Sequence, residues 1–326
     1  MPVCYDRSMK IVQVTDTHIR ADPTVVHWGY RPHASLSVIL EAIKRDHADV
    51  DFLICTGDCV HAYPEEPDAA FRGGEEAGYL VLRKLLTEAA PATTLLHALP
   101  GNHDSREFLG TVFPQSRNSV LPLPSSPPGV HCFGVLVKGW LMLGCDTQSG
   151  PPTDPNSHGA FGEAQFQWLR ACLTACSSKP TIIFMHHPPV AHEGCFDADS
   201  VAEFEQILVE HNQQVKAVVA GHIHNDFTIR LCGGSGPPLL ACPSCVFQFH
   251  VDPDGKVGKQ DFVNGPGYRV INCTVDAIDM SAAKKPMVVR PPLPPKARLP
   301  WSVKPEGPRM AHSPWPAAAA GGGAKL

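Results

Sequence analysis

The sequence predicts an α/β protein, and three observations carry that expectation. Apolar runs of strand length alternate with segments of helical period. Lys10–Val14 is followed by a helix pattern over Leu36–Lys44 and then by a second apolar run, Asp51–Asp58, which together describe a β-α-β unit. Several of the apolar runs pass directly into polar side chains, and α/β sheets gather their ligands at the carboxyl ends of their strands. Finally, 326 residues suffice for one large α/β domain or two small ones.

Taken in order, the first strand ends in Thr15-Asp16-Thr17-His18, where the i, i+2 spacing puts Asp16 and His18 on one side of an extended chain. A carboxylate and an imidazole so placed can share a cation. The helix over Leu36–Lys44 carries Leu36, Ile39, Leu40 and Ile43 on one face, and the next strand closes on Gly57-Asp58. Tyr63–Gly78, acidic and containing Gly and Pro, reads as a surface loop leading into a helix from about Glu75 to Glu88. The buried strand Thr94–Leu99 runs into Pro100-Gly101-Asn102-His103-Asp104, which standing alone is an ordinary Pro-Gly turn.

Phe108–Gly129 is rich in Pro and Ser and reads as an ordered loop. His131–Val137 and Trp140–Cys145, separated by Lys138-Gly139, form a hairpin pattern. A second Pro-rich loop, Asp146–Gly159, precedes a helix over Glu163–Ala175. The strand Pro180–Met185 ends in His186-His187-Pro188-Pro189. Ser200 and Glu203 have capping-box spacing before a helix over Val201–Glu210. Val215–Ala220 is followed at once by Gly221-His222-Ile223-His224. Residues from Ile229 to Thr274 read as further strands and turns. Beyond about Ala282 periodicity ends, so the expected organisation is a folded domain over 1–280 and a Pro/Ala/Gly-rich, disordered or loosely packed tail over 281–326. That tail is read as a plain flexible terminus in preference to a polyproline ligand for a partner.

Composition narrows the function. A formal net charge of -5 argues against a general polyanion binder, so no nucleic-acid partner is expected, and an anionic substrate needs local positive charge. No apolar run approaches the ~20 residues that span a bilayer, and the N-terminus lacks a charged-then-apolar signal, so a soluble, cytoplasmic protein without a membrane partner is expected. Most of the twelve cysteines lie in apolar segments, which fits reduced, buried thiols. Cys242-Pro243-Ser244-Cys245 has C-x-x-C spacing, but no second pair completes a zinc site.

Five strand ends thus carry Asp16/His18, Asp58, Asn102/His103, His186 and His222/His224. The repetition is specific where each motif alone is weak. Two divalent ions roughly 3.5–4 Å apart need several N and O donors and a shared carboxylate between them. They also need open positions for a solvent nucleophile and for substrate oxygens. Two such ions against Asp16 and Asp58 leave about two net positive charges to attract an anionic diester.

The series Asp16-x-His18, Gly57-Asp58, Gly101-Asn102-His103-Asp104, His186 and Gly221-His222-x-His224 resembles the calcineurin-like metallophosphoesterase superfamily over Lys10 to Asp276. The flanking Cys145-Asp146-Thr147-Gln148, His158-Gly159, Gln165–Leu169, Cys242–Val246 and Pro266–Arg269 are similar to class III cyclic-nucleotide phosphodiesterases, which accounts for the C-x-x-C as a family feature. The resemblance implies a four-layer α/β/β/α sandwich of two mixed sheets flanked by helices. It implies a first metal on Asp16, His18, Asp58 and His224. Asp58 would bridge to a second metal held also by Asn102, His186 and His222. His103 corresponds to a non-ligand histidine that contacts phosphate and protonates the leaving oxygen. The cofactors implied are two divalent ions (Mn, Fe or Zn), and the family admits a homodimer. His61 stands where the phosphoprotein-phosphatase branch has an Asp partnering its histidine, so that dyad is absent.

The expected activity is hydrolysis of a small-molecule phosphodiester, 3′,5′-cyclic AMP or GMP to the 5′-nucleotide, by a hydroxide bridging the two ions. The alternatives are a glycerophosphodiesterase or another phosphoesterase on the same fold, and a non-catalytic metal-binding scaffold. Asp104 is read as supporting its loop or orienting a neighbour in preference to binding metal, and His187 as packing or a residue behind the ligands in preference to a ligand. His158 is read equally as a substrate contact or a loop support. His27, His33, His47 and His211 are read as solvated.

Overall fold

The computed structural model describes residues 8–26, 29–61, 70–114, 123–150, 158–191, 195–251, 257–261, 264–274, 278 and 287–289. Alternation inside single strands sets the layers. In β1 (Met9–Val14), Met9 and Ile11 enter one apolar cluster while Val12 and Val14 enter another, as the two-residue period of a strand requires. Helix α1 (Pro32–Asp46) covers the Val12/Val14 face with Leu36, Ile39, Leu40 and Ile43. Pro32 stands in its first turn and Lys44 and Arg45 in its last, favourable for a fixed φ and for the helix dipole. Strand β2 (Phe52–Thr56) lies parallel to β1, then come α2 (Ala70–Ala89) and β3 (Leu95–Leu99), parallel to β2.

A short helix, α3 (Arg106–Val112), stands where the sequence reading expected loop from Phe108 onward. The Ser105 hydroxyl accepts from Phe108 N at its start. The hairpin β4 (Phe133–Val137) and β5 (Trp140–Gly144) begins the second half. It is followed by α4 (Glu163–Ala175), β6 (Thr181–Phe184), α5 (Ala198–Glu210), β7 (Val215–Ala220), β8 (Phe227–Arg230) and β9 (Pro238–Ala241). A separate antiparallel pair, β10 (Gln248–Val251) and β11 (Val257–Asp261), precedes β12 (Tyr268–Cys273) and β13 (Met287–Val289).

These strands make one sheet in the order β13-β12-β1-β2-β3 and another in the order β4-β5-β6-β7-β9-β8. Both sheets are mixed. Phe52, Ile54 and Ile11 from the first pack against Val135, Met142, Phe184 and Val219 from the second. The outer face of the first sheet is closed by α1, α2 and α3, that of the second by α4 and α5. The four-layer sandwich is therefore present, and burying each large apolar side chain contributes about 1.5–3 kcal/mol. Below the strand ends Gln13 ties the layers together: its Nε2 donates to Thr56 Oγ1 (2.8 Å) on β2 and to Ala220 O (3.0 Å) on β7.

Several local expectations change. Helix α2 begins at Ala70, inside the stretch read as loop, and residues 62–69 lie outside the described residues. Ser200 is not the cap of α5: the helix begins three residues earlier than the box spacing indicates, Asp197 caps it with its carboxylate accepting from Ser200 N at 2.8 Å, and Ser200 lies inside the first turn. His47, read as solvated, is buried at the end of α1 with Nε2 3.1 Å from the Tyr268 hydroxyl. His33 is half-buried against Arg20 O, and His211, half-buried at the end of α5, has Nδ1 3.2 Å from Gln214 Oε1. His27 and the chain from 290 onward lie outside the described residues, and β13 lies beyond the boundary at 280 and pairs with β12.

Candidate metal centre

Five parallel strands, β1, β2 and β3 of one sheet and β6 and β7 of the other, end at the same rim, so their following residues converge. The chain after β1 is stitched to the chain after β2 by Asp16 N→Gly57 O, His18 N→Asp58 O and Ile19 N→Cys59 O, all 3.0 Å. Glycines let the loops approach closely. A Cβ on Gly101 would overlap Asp58 Oδ1, and one on Gly57 would overlap the His186 ring.

Asp16, His18, Asp58 and His224 bring one donor atom each within 4.8 Å of one another, and all four are buried. His224 Nε2 lies 3.2 Å from Asp16 Oδ1 and 3.5 Å from His18 Nε2. Its Nδ1 lies 3.1 Å from Phe247 O, and only a protonated Nδ1 can bond a carbonyl, which leaves Nε2 with its lone pair for a cation. His186 repeats the device. Nδ1 is 2.8 Å from Thr56 O, and Nε2 is 3.1 Å from Asn102 Oδ1 and 3.4 Å from Asp58 Oδ1. His222 Nδ1 is 3.1 Å from the same Asn102 oxygen, and its backbone N–H donates to Asp16 Oδ2 at 3.1 Å.

Asp58 stands between two donor groups. Oδ2 is 3.8 Å from both His18 Nε2 and His103 Nε2, while Oδ1 faces His186 and accepts from His103 N at 2.9 Å. Burial, with Asp16 and Asp104 nearby, pushes its carboxyl well above the ordinary range. Burial acts on Asp16 in the same sense but is outweighed by the combined attraction and hydrogen bond of His224, the nearby His186 and the Thr15 hydroxyl, so that carboxyl is held well below the ordinary range. Burial lowers His186, which favours the neutral imidazole that a metal requires. All eight residues singled out in the sequence are thus brought together. The donor set of carboxylates, neutral imidazoles and one amide oxygen fits divalent ions.

Two histidines not assigned as ligands also reach the centre. His187, buried, has Nδ1 2.8 Å from Thr147 Oγ1 and its ring 4.5 Å from that of His222. His61, buried, lies with its ring 4.7 Å from His103. Nothing in a lone histidine three residues after Asp58 announces that contact; it needs the turn after β2. Asp104 supports its loop: the carboxylate accepts from Cys59 N (3.0 Å), Val60 N (3.1 Å), Gly101 N (2.8 Å) and the Tyr79 hydroxyl (2.8 Å). Burial raises it to about 6 against those bonds. The Cys242–Cys245 stretch braces the loop after β1 through Cys245 N→Thr15 O and Ser244 Oγ→Asp16 O, both 3.0 Å, and burial pushes both thiols up. His158 is exposed, and its carbonyl accepts from the Ser149 hydroxyl.

A two-sheet α/β/β/α sandwich with Asp, His and Asn donors at the strand ends defines a metallophosphoesterase. Residues 9–226 match the family model for the calcineurin-like phosphoesterases, and the chain belongs to that family. It is similar to the 3′,5′-cyclic adenosine monophosphate phosphodiesterase CpdA of Escherichia coli K12, 28% identical over 282 residues that cover 85% of this chain and 89% of the relative. The CpdA of Vibrio vulnificus is 26% identical over 253 residues, 76% and 81% of the two chains. In fold it resembles a dimetal phosphatase from Danio rerio, with a TM-score of 0.56 at 14% identity, covering 87% of this chain and 99% of that one. A purple acid phosphatase from yellow lupin seeds gives a TM-score of 0.52 at 13% identity, over 82% and 50%. The protein is accordingly a metal-dependent phosphoesterase. No helix among the described residues is long and apolar enough to cross a membrane.

Proposed function

We propose that this protein is a binuclear phosphodiesterase acting on 3′,5′-cyclic nucleotides and giving 5′-nucleotides. The observation that carries the reading is Asp58, whose two oxygens face two separate donor groups. Asp16, His18 and His224 would hold one divalent ion with Asp58, and Asn102, His186 and His222 a second. When bound, such ions supply an acidified water and neutralise the anionic substrate. The chain's own residues do the rest. Asp58 and Asp16 set the charge of the site, Phe247 O and Thr56 O fix the tautomers of His224 and His186, and His103 faces the diester. The water gives up a proton to solvent and its oxygen bonds to phosphorus as the bond from phosphorus to O3′ breaks, while a protonated His103 delivers its proton to that leaving oxygen and takes one back from solvent. The similarity to CpdA proteins supports the choice of substrate, and the family resemblance together with the clustering of Asp16, His18, Asp58 and His224 supports the ligand assignment.

The test joins elemental analysis of the purified protein to a panel of cyclic AMP, cyclic GMP, glycerophosphodiesters and an aryl phosphodiester. About two metal equivalents and turnover of a cyclic nucleotide are expected. Faster turnover of glycerophosphodiesters gives that assignment instead, turnover of the aryl diester alone rejects the cyclic-nucleotide reading, and metal binding without any hydrolysis returns a scaffold.

A further inference from the structure

We propose that Gln148 is a positioning residue for the turn that carries Asn102 and His103, a role that rests on the hydrolytic reading above. Gln148 is buried just beyond β5, in the second sheet, whereas the turn follows β3 in the first. Its Nε2 donates to Gly101 O at 3.0 Å and to Asp104 O at 2.8 Å, the carbonyls that flank Asn102 and His103. One amide group therefore fixes both ends of the turn, and both its N–H bonds are spent on that task. Its Oε1 has no hydrogen-bond partner among the described residues, so the donated pair is what orients the side chain.

The backbone behind Gln148 is anchored to the same turn. Gln148 N donates to Asp146 Oδ1 at 2.9 Å, and Asp146 Oδ2 accepts from His131 N at 2.9 Å. Arg106, the first residue of α3 and two residues past the turn, grips Asp146 with Nε (2.6 Å to Oδ2) and Nη2 (3.2 Å to Oδ1) and donates to Gln148 O. The result is a closed ring running from turn to Arg106, Asp146, Gln148 and back to turn. Asp104 holds the turn from the first sheet, and Gln148 holds it from the second. A general acid displaced by about 1 Å loses on the order of 10²-fold in rate, and a ring of fixed hydrogen bonds is a device against that displacement.

The experiment uses the full chain loaded with manganese and the variant Gln148→Met, which keeps length and apolar packing but has no donor. A ribose O3′ leaves poorly without a proton, whereas a nitrophenolate leaves readily. Gln148→Met is therefore expected to lower kcat on cyclic AMP by about 10²-fold, with a far smaller loss on bis(4-nitrophenyl) phosphate and KM little changed. His103→Ala should show the same split, and the double variant should be no slower than His103→Ala alone. Metal content should stay at the wild-type level, while amide hydrogen exchange quickens at residues 102–104. Arg106→Gln, at the half-exposed outer end of the ring, should give the same split in milder form and serves if Gln148→Met fails to fold.

Equal loss on both substrates, or a double variant in which the two losses multiply, overturns the positioning role. If His103→Ala itself shows no split, it is the acid role of His103 that fails. Exchange at 102–104 then still decides on the ring, and unchanged exchange overturns it.

Discussion

The site holds its side chains in two different ways. Among the described residues seven non-glycine residues have positive φ, and five of them are Asp16 (52°), His18 (44°), Asp58 (48°), His222 (69°) and His224 (51°). Asn102, His103 and His186 have no such backbone. A left-handed conformation at a residue with a Cβ costs about 1–2 kcal/mol, so the first group is strained where the second is relaxed. The strained residues are tied by main-chain bonds of their own: Asp16 N to Gly57 O, His18 N to Asp58 O, and His222 N to the Asp16 carboxylate. The relaxed turn is held by side chains reaching in, Asp104 from one sheet and Gln148 from the other. Strain persists where the backbone is over-determined, and a turn without strain needs clamps.

Asp58→Asn sharpens this contrast most. Asn adopts left-handed backbone more readily than most residues and keeps the shape, but removes the carboxylate. Activity should fall by more than about 10³-fold with loss of bound metal, the scale of several kcal/mol of charge stabilisation. In chelator the same variant should melt at a higher temperature than wild type, because a buried carboxyl pushed well above its ordinary range burdens the metal-free protein. A lower melting temperature in chelator would contradict that account.

Acid provides a way to separate collapse of the site from collapse of the fold. His97 lies outside both groups, on β3 at the interface of the sheets, with its ring 5.3 Å from Phe52 and 4.3 Å from Phe133. Burial, with His131 nearby, lowers it to about 4. The unfolded chain therefore takes up a proton below about pH 6.5 that the folded chain refuses until about pH 4. Stability is full above that window and falls through it by up to about 3 kcal/mol. His97→Phe should flatten this slope in denaturant titrations at pH 4.5 and 7.5, and a parallel slope in both proteins would place the acid-sensitive group elsewhere.

The smallest effect concerns the clamp. The Tyr79 hydroxyl donates to Asp104 Oδ1 and accepts from Ser105 N, both at 2.8 Å. Tyr79→Phe removes both bonds and should cost about 1–2 kcal/mol of stability. The substitution leaves Asp16, His18, Asp58, His222 and His224 untouched, so metal content should hold. A loss of metal equal to that in Asp58→Asn would erase the distinction between the two regions.

What was legible in the sequence follows the same line. Strand ends that run into Asp, His and Asn mark the site because both hydrophobic period and donor chemistry are local. Helix α3 was missed because seven residues offer barely two turns of period, and its start depends on Ser105 closing a turn held from afar. The burial of His47 against Tyr268, 221 positions away, has no local mark. Nor does the contact of His61 with His103. Asp197 as cap of α5 was legible in principle, since Asp is as good a cap as Ser, but the box spacing of Ser200 drew the reading three residues too far.

The antiparallel pairing of β1 with β12 has a consequence for biosynthesis. Met9–Gln13 pair with Arg269–Cys273, so the strand that leads into Asp16 and His18 has one flank completed only by chain made about 260 residues later. Throughout elongation that flank of β1 is an open edge of unpaired N–H and C=O groups, able to recruit another nascent chain. The pairing has a high sequence separation, the kind of non-local contact that slows folding, and it can form only after nearly the whole described chain has been made.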